Sequence, residues 1–234
     1  MPQGADHTGA DREALLVLYG GTFDPVHHGH LATACAARDM LGGPVHFMPA
    51  ADPPHRAPPG ADASRRAAML ALAIADEPEF HIDLRELRRE GPSYSVDTLR
   101  ALRGELGASV PVALLVGADS LLALPEWHDW RALFGLAHFV VAERPGSGLD
   151  RSLPPELAEA TAGRWSDDPE ALRAEPAGRL LRLRQSLHPA SASQVRAAIA
   201  AGGSWQELVP PGVADYIVRH QLYGVHGVQT PSPV

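Results

Sequence analysis

Short apolar runs alternate with longer amphipathic segments through most of this chain, and that alternation restricts the fold more than any other feature. Residues 15–19 form one continuous apolar run, and residues 110–119 contain the clearest strand pattern. Such runs suit strands buried on both faces of a parallel sheet, with helices as the crossovers between them. We therefore expect an α/β fold with a Rossmann-like, open, mostly parallel sheet, helices on both faces and a small C-terminal helical part.

The periodicity places each element along the chain. Two short helices are predicted near Glu156 and Glu170, in a stretch from Gly146 to Gly178 that reads as a peripheral excursion. Strands are predicted over residues 15–19, 45–48, 81–84, 110–119, 137–142 and 180–183, and longer helices over residues 31–41, 64–75, 95–106, 127–134, 193–201 and 213–220.

The length of 234 residues and the lack of a dividing linker favour a single domain over residues 15–225. Residues 1–14 are polar and residues 226–234 contain proline without periodicity, so both are predicted to be disordered tails. No run of about 18 apolar residues occurs, which argues against a membrane span, and no secretory signal is recognisable. The sequence leaves open whether the protein is a monomer or a homodimer.

Composition excludes several kinds of site. The 20 basic and 28 acidic residues give a net charge of −8, which argues against a nucleic-acid partner. All basic residues are arginine, so a Schiff-base lysine, a lysine general base and the lysine of a Walker-type phosphate loop are ruled out. Cys35 is the lone cysteine, which rules out an intrachain disulfide and a Cys-cluster zinc site and fits the reducing cytoplasm.

The segment Gly20–His30 concentrates the residues best suited to chemistry. It reads Gly-Gly-Thr-Phe-Asp-Pro-Val-His-His-Gly-His and lies between the first strand and the first helix, where open parallel sheets bind ligands. The glycines let backbone approach a ligand, and the N-terminus of the following helix attracts an anion. His27 and His30 are spaced so that both imidazoles fall on one face of a helical turn. We interpret the segment as a pocket for phosphate oxygens.

A metal site is the alternative interpretation of this segment, because Asp24, His27, His28 and His30 have ligand chemistry. It is the weaker interpretation, since adjacent residues rarely aim at one ion and no His-Glu-x-x-His pattern occurs. A single histidine near a helix start is commonly a cap or a surface residue, but three in four positions after a Gly-Gly turn argue against coincidence. We therefore predict no metal ion held by the chain itself.

Residues 21–30, Gly-Thr-Phe-Asp-Pro-x-His-x-Gly-His, resemble the opening motif of the nucleotidyltransferase superfamily. The resemblance implies adenylyl transfer, in which His27 and His30 stabilise charge that develops on a triphosphate. An acceptor phosphate attacks the α-phosphorus and pyrophosphate leaves. The resemblance also assigns four neighbouring residues to ATP binding: Gly20, Gly21, Thr22 and Phe23.

A second motif of the superfamily, Ile-Ser-x-Thr-x-x-Arg, corresponds to residues 190–196, which read Ala-Ser-Ala-Ser-Gln-Val-Arg. Ser191 or Ser193 is suited to cap a helix here, while Arg196 and the N–H groups of the first turn bind the β- and γ-phosphates. Ala190 stands in place of isoleucine and Ser193 in place of threonine. Both departures bear on packing more than on chemistry, because the hydroxyl and the cation remain.

Further segments narrow the resemblance to the bacterial nicotinate-nucleotide adenylyltransferases, from about residue 15 to residue 223. Taken alone, they read as a stiff Pro-rich loop, a capped helix and a core tryptophan. Their combination and order carry the resemblance: Pro53–Arg56, Pro92–Leu99, Gly117–Leu121, Pro125–His128 and Glu143–Gly146.

The resemblance assigns roles to individual residues by position. It implies that the pyridine ring stacks on Trp127 and that backbone amides near Ser95 and His128 receive the nicotinate carboxylate. Asp119 falls at an adenylate-side ribose contact. Three further residues are assigned to the mononucleotide: Asp24, and His55 and Arg56 at its phosphate.

The implied reaction joins ATP to nicotinate mononucleotide and gives nicotinate adenine dinucleotide and pyrophosphate, with Mg²⁺ bound mainly through the ATP phosphates. Pantetheine-phosphate adenylyltransferase shares both end motifs and is the nearest alternative enzyme. A nucleotide-binding protein without catalysis is the alternative from another class. A tRNA synthetase core uses similar histidines, but its lysine-bearing loop cannot exist in a chain without lysine.

Overall fold

A parallel sheet forms the centre of the protein. The computed structural model describes residues 14–51, 60–89, 91–143, 149, 153–183, 185 and 188–225. Within them the strand order is β3-β2-β1-β4-β5-β7-β6, and every neighbouring pair is parallel, which confirms the predicted Rossmann-like sheet. The strands are β1 (Leu16–Gly21), β2 (Val45–Pro49), β3 (Phe80–Ile82), β4 (Val112–Gly117), β5 (His138–Ala142), β6 (Trp165–Ser166) and β7 (Leu180–Leu183).

Both faces of the sheet are apolar, because successive side chains of a strand point to opposite sides. In β4, Val112, Leu114 and Val116 pack on one side, while Ala113 and Leu115 pack on the other. Helices cover both sets of side chains. A continuous apolar run is what a strand needs when it is buried in this way.

Helices divide between the two faces. On the face that carries Ala113 and Leu115, the first face, α1, α2, α8 and α9 contribute to the core. On the face that carries Val112, Leu114 and Val116, the second face, α4, α5 and α6 do so. The helices are α1 (His28–Leu41), α2 (Ala63–Ala73), α3 (Arg85–Arg88), α4 (Ser95–Leu106), α5 (Ala118–Leu122), α6 (Pro155–Thr161), α7 (Ala171–Ala174), α8 (Ala192–Ala200) and α9 (Pro211–Arg219).

The predicted C-terminal helical part corresponds to α8 and α9. Val195 and Ile199 of α8, with Val213 and Ile217 of α9, belong to the core of the first face, so this part is packed on the sheet. In the described ranges, no helix has the combination of length and apolar character needed to cross a membrane. The single domain over residues 15–225 stays a prediction, and of the predicted tails all but residue 14 lies outside the described residues.

Two boundaries beside the expected site differ from the prediction. β1 continues to Gly21, because Gly20 and Gly21 still pair with β2. α1 begins at His28, three residues early, because the carbonyl of His27 accepts hydrogen bonds from the N–H groups of His30 (2.9 Å) and Leu31 (3.3 Å). The histidines therefore lie at the start of the helix.

The prediction of one helix over residues 127–134 is wrong. Two 3-10 helices, Leu124–Glu126 and Trp130–Gly135, flank Trp127, whose backbone is extended. Asp129 has a left-handed backbone (φ 48°, ψ 40°), and one such residue interrupts a right-handed helix. The two-residue strand β6 was also missed, since so short a strand has no periodicity.

The position of β1 in the sheet creates the place for a site. β2 and β3 lie on one side of β1, whereas β4 and β5 lie on the other. Chain segments that leave the carboxyl ends of β1 and β4 therefore diverge and open a crevice. Gly21 and Gly117 end these two strands.

Candidate active site

The turn between β1 and α1 is built around the ring of Phe23. A Cβ atom at Gly21 would lie 2.9 Å from that ring, so a glycine is needed there. Phe23 has a left-handed backbone (φ 51°), which is strained for a bulky residue, and its side chain is buried against Tyr19, His30 and Phe47. The predicted contact of Phe23 with ATP could therefore involve only its backbone.

His27 and His30 form a stacked pair. Their ring centroids are 3.7 Å apart and their planes differ by 29°, so the expected common face is present. The His27 N–H donates to Nδ1 of His30 (3.3 Å), which places the proton of a neutral His30 ring on Nε2. The ring of Phe23 packs edge-on against His30 at 5.0 Å. His28 turns elsewhere, with its ring 5.7 Å from that of His188.

The two sequence motifs meet at Gly29. A Cβ atom there would lie 2.6 Å from the carbonyl oxygen of Ala190 and 3.0 Å from two atoms of the His27 ring. The backbone before α8 therefore touches the first turn of α1. Residues that are 161 positions apart in the chain form one wall of the site.

Ser191 caps α8, as one of the two predicted serines, by accepting a hydrogen bond from the N–H of Gln194 (3.2 Å). Ser193 is exposed in the first turn of the helix. Arg196 reaches back to the β1–α1 turn, where it donates to the carbonyl oxygen of Asp24 (2.5 Å). The structure thus places this cation beside the histidine-bearing turn, and the Arg196 side chain is 39% exposed.

The carboxylate of Asp24 is buried and engaged by groups of the chain itself. It accepts hydrogen bonds from the N–H groups of Gly60 (2.8 Å) and Ala61 (3.1 Å) and from the Tyr223 hydroxyl (2.8 Å). Burial, and next the charge of Asp24, raise the pKa of the Tyr223 phenol, so it remains a donor. These contacts form a structural junction, and the contact of Asp24 with the mononucleotide stays a prediction.

Arg66 is a buried residue that the sequence analysis missed. Its guanidinium donates to the carbonyl oxygens of Thr22 (2.6 Å), Ala50 (2.7 Å), Ala51 (3.1 Å) and Ala61 (3.1 Å). It therefore ties the turn after β1 to the loop after β2. In the sequence, Arg66 is one of two adjacent arginines in an amphipathic helix, a pattern typical of a solvated face.

A cleft with a volume of about 250 Å³ opens at the carboxyl ends of β1 and β4. The first turn of α4 and the segment around Trp127 form its far wall. Tyr94 and His128 bring these two parts together, with ring centroids 4.6 Å apart. The cleft includes seven of the predicted site residues: Gly20, Gly21, Thr22, Ser95, Asp119, Trp127 and His128.

Glu86 also lines the cleft and was missed. Its side chain is only 4% exposed, and it accepts a hydrogen bond from the Thr98 hydroxyl (2.9 Å). Burial raises the pKa of the Glu86 carboxyl, while hydrogen bonds from Thr98 and Ser93 oppose that shift. In the sequence Glu86 lies in a charge-rich stretch that reads as solvated, so no signal distinguished it.

Two expectations about ligands stay predictions. His55 and Arg56, predicted at the acceptor phosphate, lie outside the described residues. Among the described residues, no group of three or more His, Cys, Asp or Glu side chains is arranged to hold a metal ion.

Comparison with known proteins identifies the family. The family model described as cytidylyltransferase-like matches residues 18–198. A nicotinate-nucleotide adenylyltransferase of Stenotrophomonas maltophilia is 61% identical over 225 residues, which cover 94% of this chain and 99% of that protein. A protein of the same name from Chromohalobacter salexigens is 48% identical over 214 residues, 91% of this chain and 97% of its own. The chain belongs to the nicotinate-nucleotide adenylyltransferase family.

Solved structures of this family share the fold. Nicotinic acid mononucleotide adenylyltransferase of Plasmodium falciparum, complexed with APC, superimposes with a TM-score of 0.67 at 16% identity, covering 91% of this chain and 98% of that one. The same enzyme complexed with NaAD gives a TM-score of 0.66. At this identity the likeness concerns the fold.

Proposed function

We propose that the protein transfers the adenylyl group of ATP to nicotinate mononucleotide, giving nicotinate adenine dinucleotide and pyrophosphate. One observation carries the proposal: the stacked His27–His30 pair and the Trp127-lined cleft are connected through the same strand end, at Gly20 to Thr22. A phosphate-binding turn and a cleft for a flat ring thus lie at one switch point of the sheet. The high identity to named nicotinate-nucleotide adenylyltransferases supports the same reaction.

The reaction requires the protein to position the two substrates and to stabilise the charge that develops on the leaving group. An oxygen of the acceptor phosphate is already ionised, and it forms a bond to the α-phosphorus of ATP. The bond from that phosphorus to the bridging oxygen breaks, and pyrophosphate leaves with the electron pair. No catalytic base and no covalent enzyme intermediate are needed.

The residues around α1 suit the triphosphate. His30 in the tautomer described above presents Nε2–H as a donor to a phosphate oxygen, and Arg196 brings a permanent positive charge to the same turn. The first turns of α1 and α8 meet at Gly29 and Ala190, so the partial positive charges of both helix N-termini add to the field there. We assign His27, His30 and Arg196 to stabilising the charge that shifts toward the leaving pyrophosphate.

The opposite part of the cleft suits the nicotinate ring. Trp127 is half-buried on the cleft wall, where its face is available for stacking. Ser95 is the first residue of α4, and the preceding N-cap residue Tyr94 makes no side-chain cap, so the amides of this turn attract an anion. Neutral N–H groups donate hydrogen bonds to the oxygens of a carboxylate. The NH₂ group of a carboxamide would face these donors without an acceptor, so the site favours the acid over the amide. His55 and Arg56 remain our candidates for the acceptor phosphate.

Mg²⁺ is expected to arrive with ATP. Such an ion would neutralise phosphate charge when it is bound, and most of its ligands would be water molecules and phosphate oxygens. Asp119 is exposed on the cleft at the end of β4, where we assign it to an adenylate ribose contact. The lone Cys35, a free thiol, agrees with the reducing cytoplasm in which we place the enzyme.

Pyrophosphate release is the direct test of the proposal. The purified protein is given ATP and Mg²⁺ with nicotinate mononucleotide, nicotinamide mononucleotide or phosphopantetheine in parallel reactions. We expect the fastest release with nicotinate mononucleotide. Preference for phosphopantetheine would support the pantetheine-phosphate alternative, and tight nucleotide binding without release in any reaction would support a non-catalytic binding protein.

A further inference from the structure

We propose that Glu86 is a positioning residue, which fixes the position of the nicotinate end of the cleft relative to the loop after β2. The inference rests on the function proposed above and deepens it, because it names a residue that sets acceptor binding and the preference for the acid. Glu86 lies on α3, outside every motif that pointed to the reaction. Its importance is visible only in the folded chain.

A chain of hydrogen bonds runs through Glu86. The N–H of Ala51 donates to the Ser93 hydroxyl oxygen (3.0 Å), and the Ser93 hydroxyl in turn donates to the Glu86 carboxylate. On the other side, the Thr98 hydroxyl donates to Glu86 (2.9 Å) and accepts a hydrogen bond from Arg89 (3.1 Å). One buried carboxylate therefore joins the loop after β2, the segment before α4 and α4 itself.

These connections surround the residues that we assign to the nicotinate carboxylate. Ser93 directly precedes Tyr94 and Ser95 at the start of α4, and all three line the cleft. Ala51 directly precedes the Pro-rich segment that carries His55 and Arg56 in the sequence. Glu86 thus couples the amides that would face the nicotinate carboxylate to Ala51, in the described part of the loop after β2.

Burial makes this coupling stiff. Thr98 is fully buried and Glu86 nearly so, and hydrogen bonds to a charged group in a poorly solvated place are stronger than those between neutral groups. A carboxylate that accepts from two hydroxyls is also fixed in orientation, which directs its negative charge toward those donors. An anionic substrate at the start of α4 then meets the helix N–H groups and not an unsatisfied carboxylate.

The test compares three changes at this junction in the full chain. Glu86→Ala removes the carboxylate, Ser93→Ala removes one of its partners, and Glu86→Gln keeps an acceptor of nearly the same shape. The control is Glu105→Gln, a glutamate on α4 whose pairing with Arg85 (3.1 Å) lies at an exposed position. For each protein we would measure KM for nicotinate mononucleotide, KM for ATP, and the ratio of kcat/KM for the acid and amide mononucleotides.

We expect Glu86→Ala and Ser93→Ala to raise KM for nicotinate mononucleotide by about tenfold and to lower the acid-to-amide ratio by a similar factor, as loss of an aligned charged hydrogen bond implies. KM for ATP should stay close to that of the parent, Glu86→Gln should recover most of the loss, and Glu105→Gln should change nothing. An unaltered acid-to-amide ratio and an unaltered KM for nicotinate mononucleotide in the folded Ser93→Ala protein would overturn the inference.

The two proposals fail in different ways. If the parent protein released no pyrophosphate with nicotinate mononucleotide, the proposed function itself would be wrong. If the parent is active and selective but the acid-to-amide ratio does not respond at Ser93, only the role of Glu86 is refuted. If Glu86→Ala does not fold, the Ser93→Ala protein decides the outcome.

Discussion

Gly29 and Ala190 lie so close that a single added carbon at Gly29 would come within 2.6 Å of the Ala190 carbonyl oxygen. This contact joins the start of α1 to the segment before α8. The same added carbon would lie 3.0 Å from two atoms of the His27 ring. The glycine between the two paired histidines is thus required by tertiary packing, in addition to any need of the ligand.

Gly29→Ala should damage both stability and catalysis. Because the neighbour is backbone, it cannot rotate away, and we expect a loss of about 1–3 kcal/mol in the free energy of unfolding. Turnover should fall at least about tenfold as the His27 ring is displaced, an effect of about 1.4 kcal/mol or more on the barrier. Urea denaturation and pyrophosphate release would measure the two effects.

Gly104→Ala provides the matched control for Gly29→Ala. Gly104 lies inside α4, and a Cβ atom there would meet no described atom within 4 Å. Replacement by alanine should raise stability by up to about 1 kcal/mol and leave turnover unchanged. Equal behaviour of the two variants would contradict the packing argument at Gly29.

His30→Ala should lower turnover by about 10²-fold to 10³-fold, or roughly 3–4 kcal/mol, as expected for loss of one preorganised donor. Its neighbour His28 is the control, because the His28 ring faces His188. His28→Ala should therefore retain most of the turnover. Circular dichroism would establish that both variants are folded. Near-full turnover in folded His30→Ala would remove His30 from the catalytic assignment.

Arg66→Met should cost more than about 3 kcal/mol of stability, because four carbonyl oxygens around the site lose a buried donor together. Arg65 is adjacent, 46% exposed and paired at 3.3 Å with Asp62. Arg65→Met should cost less than about 1 kcal/mol, since an exposed ion pair is weak. Denaturant midpoints of the Arg66→Met, Arg65→Met and parent proteins would measure the two losses of stability. Similar losses in the two proteins would show that burial of Arg66 contributes little.

His138 should make stability depend on pH. It is fully buried on β5, its Nε2–H donates to the Glu175 carbonyl oxygen (2.8 Å), and its Nδ1 accepts from the N–H of Arg179 (3.0 Å). Acceptance at Nδ1 needs the neutral ring, because both ring nitrogens of a charged imidazolium are donors. Burial accordingly lowers the pKa of His138 below its ordinary value of 6.5.

The sign of the effect follows from proton binding. As the pH falls below 6.5, the unfolded chain binds the proton before the folded protein does, so stability is present above that pH and is lost below it. The loss is at most about 1.4 kcal/mol per pH unit for one group. Urea denaturation from pH 7 to pH 5 should show this slope, and His138→Gln should flatten it. The exposed His220→Gln should not, and an unchanged slope in His138→Gln would refute the assignment.

Local patterns were sufficient for six of the seven strands of the sheet and for the histidine-bearing turn. A continuous apolar run such as Val112–Val116 has few alternatives to a strand buried on both faces, and the glycines and histidines after β1 are neighbours in the chain. The segment around Trp127 was predicted less well. The left-handed backbone of Asp129 divides it, and nothing in the apolar spacing indicates such a residue.

What the sequence by itself determined is the parallel α/β fold and the positions of the two motifs that resemble those of nucleotidyltransferases, because both depend on residues close together in the chain. Only the tertiary structure decided that Gly29 must make room for Ala190, that Asp24 bonds to the chain itself, and that Arg66 and Glu86 are buried. Burial and long-range contact depend on which distant segments pack together. A charged residue therefore reads the same in sequence whether it faces water or holds a site in place.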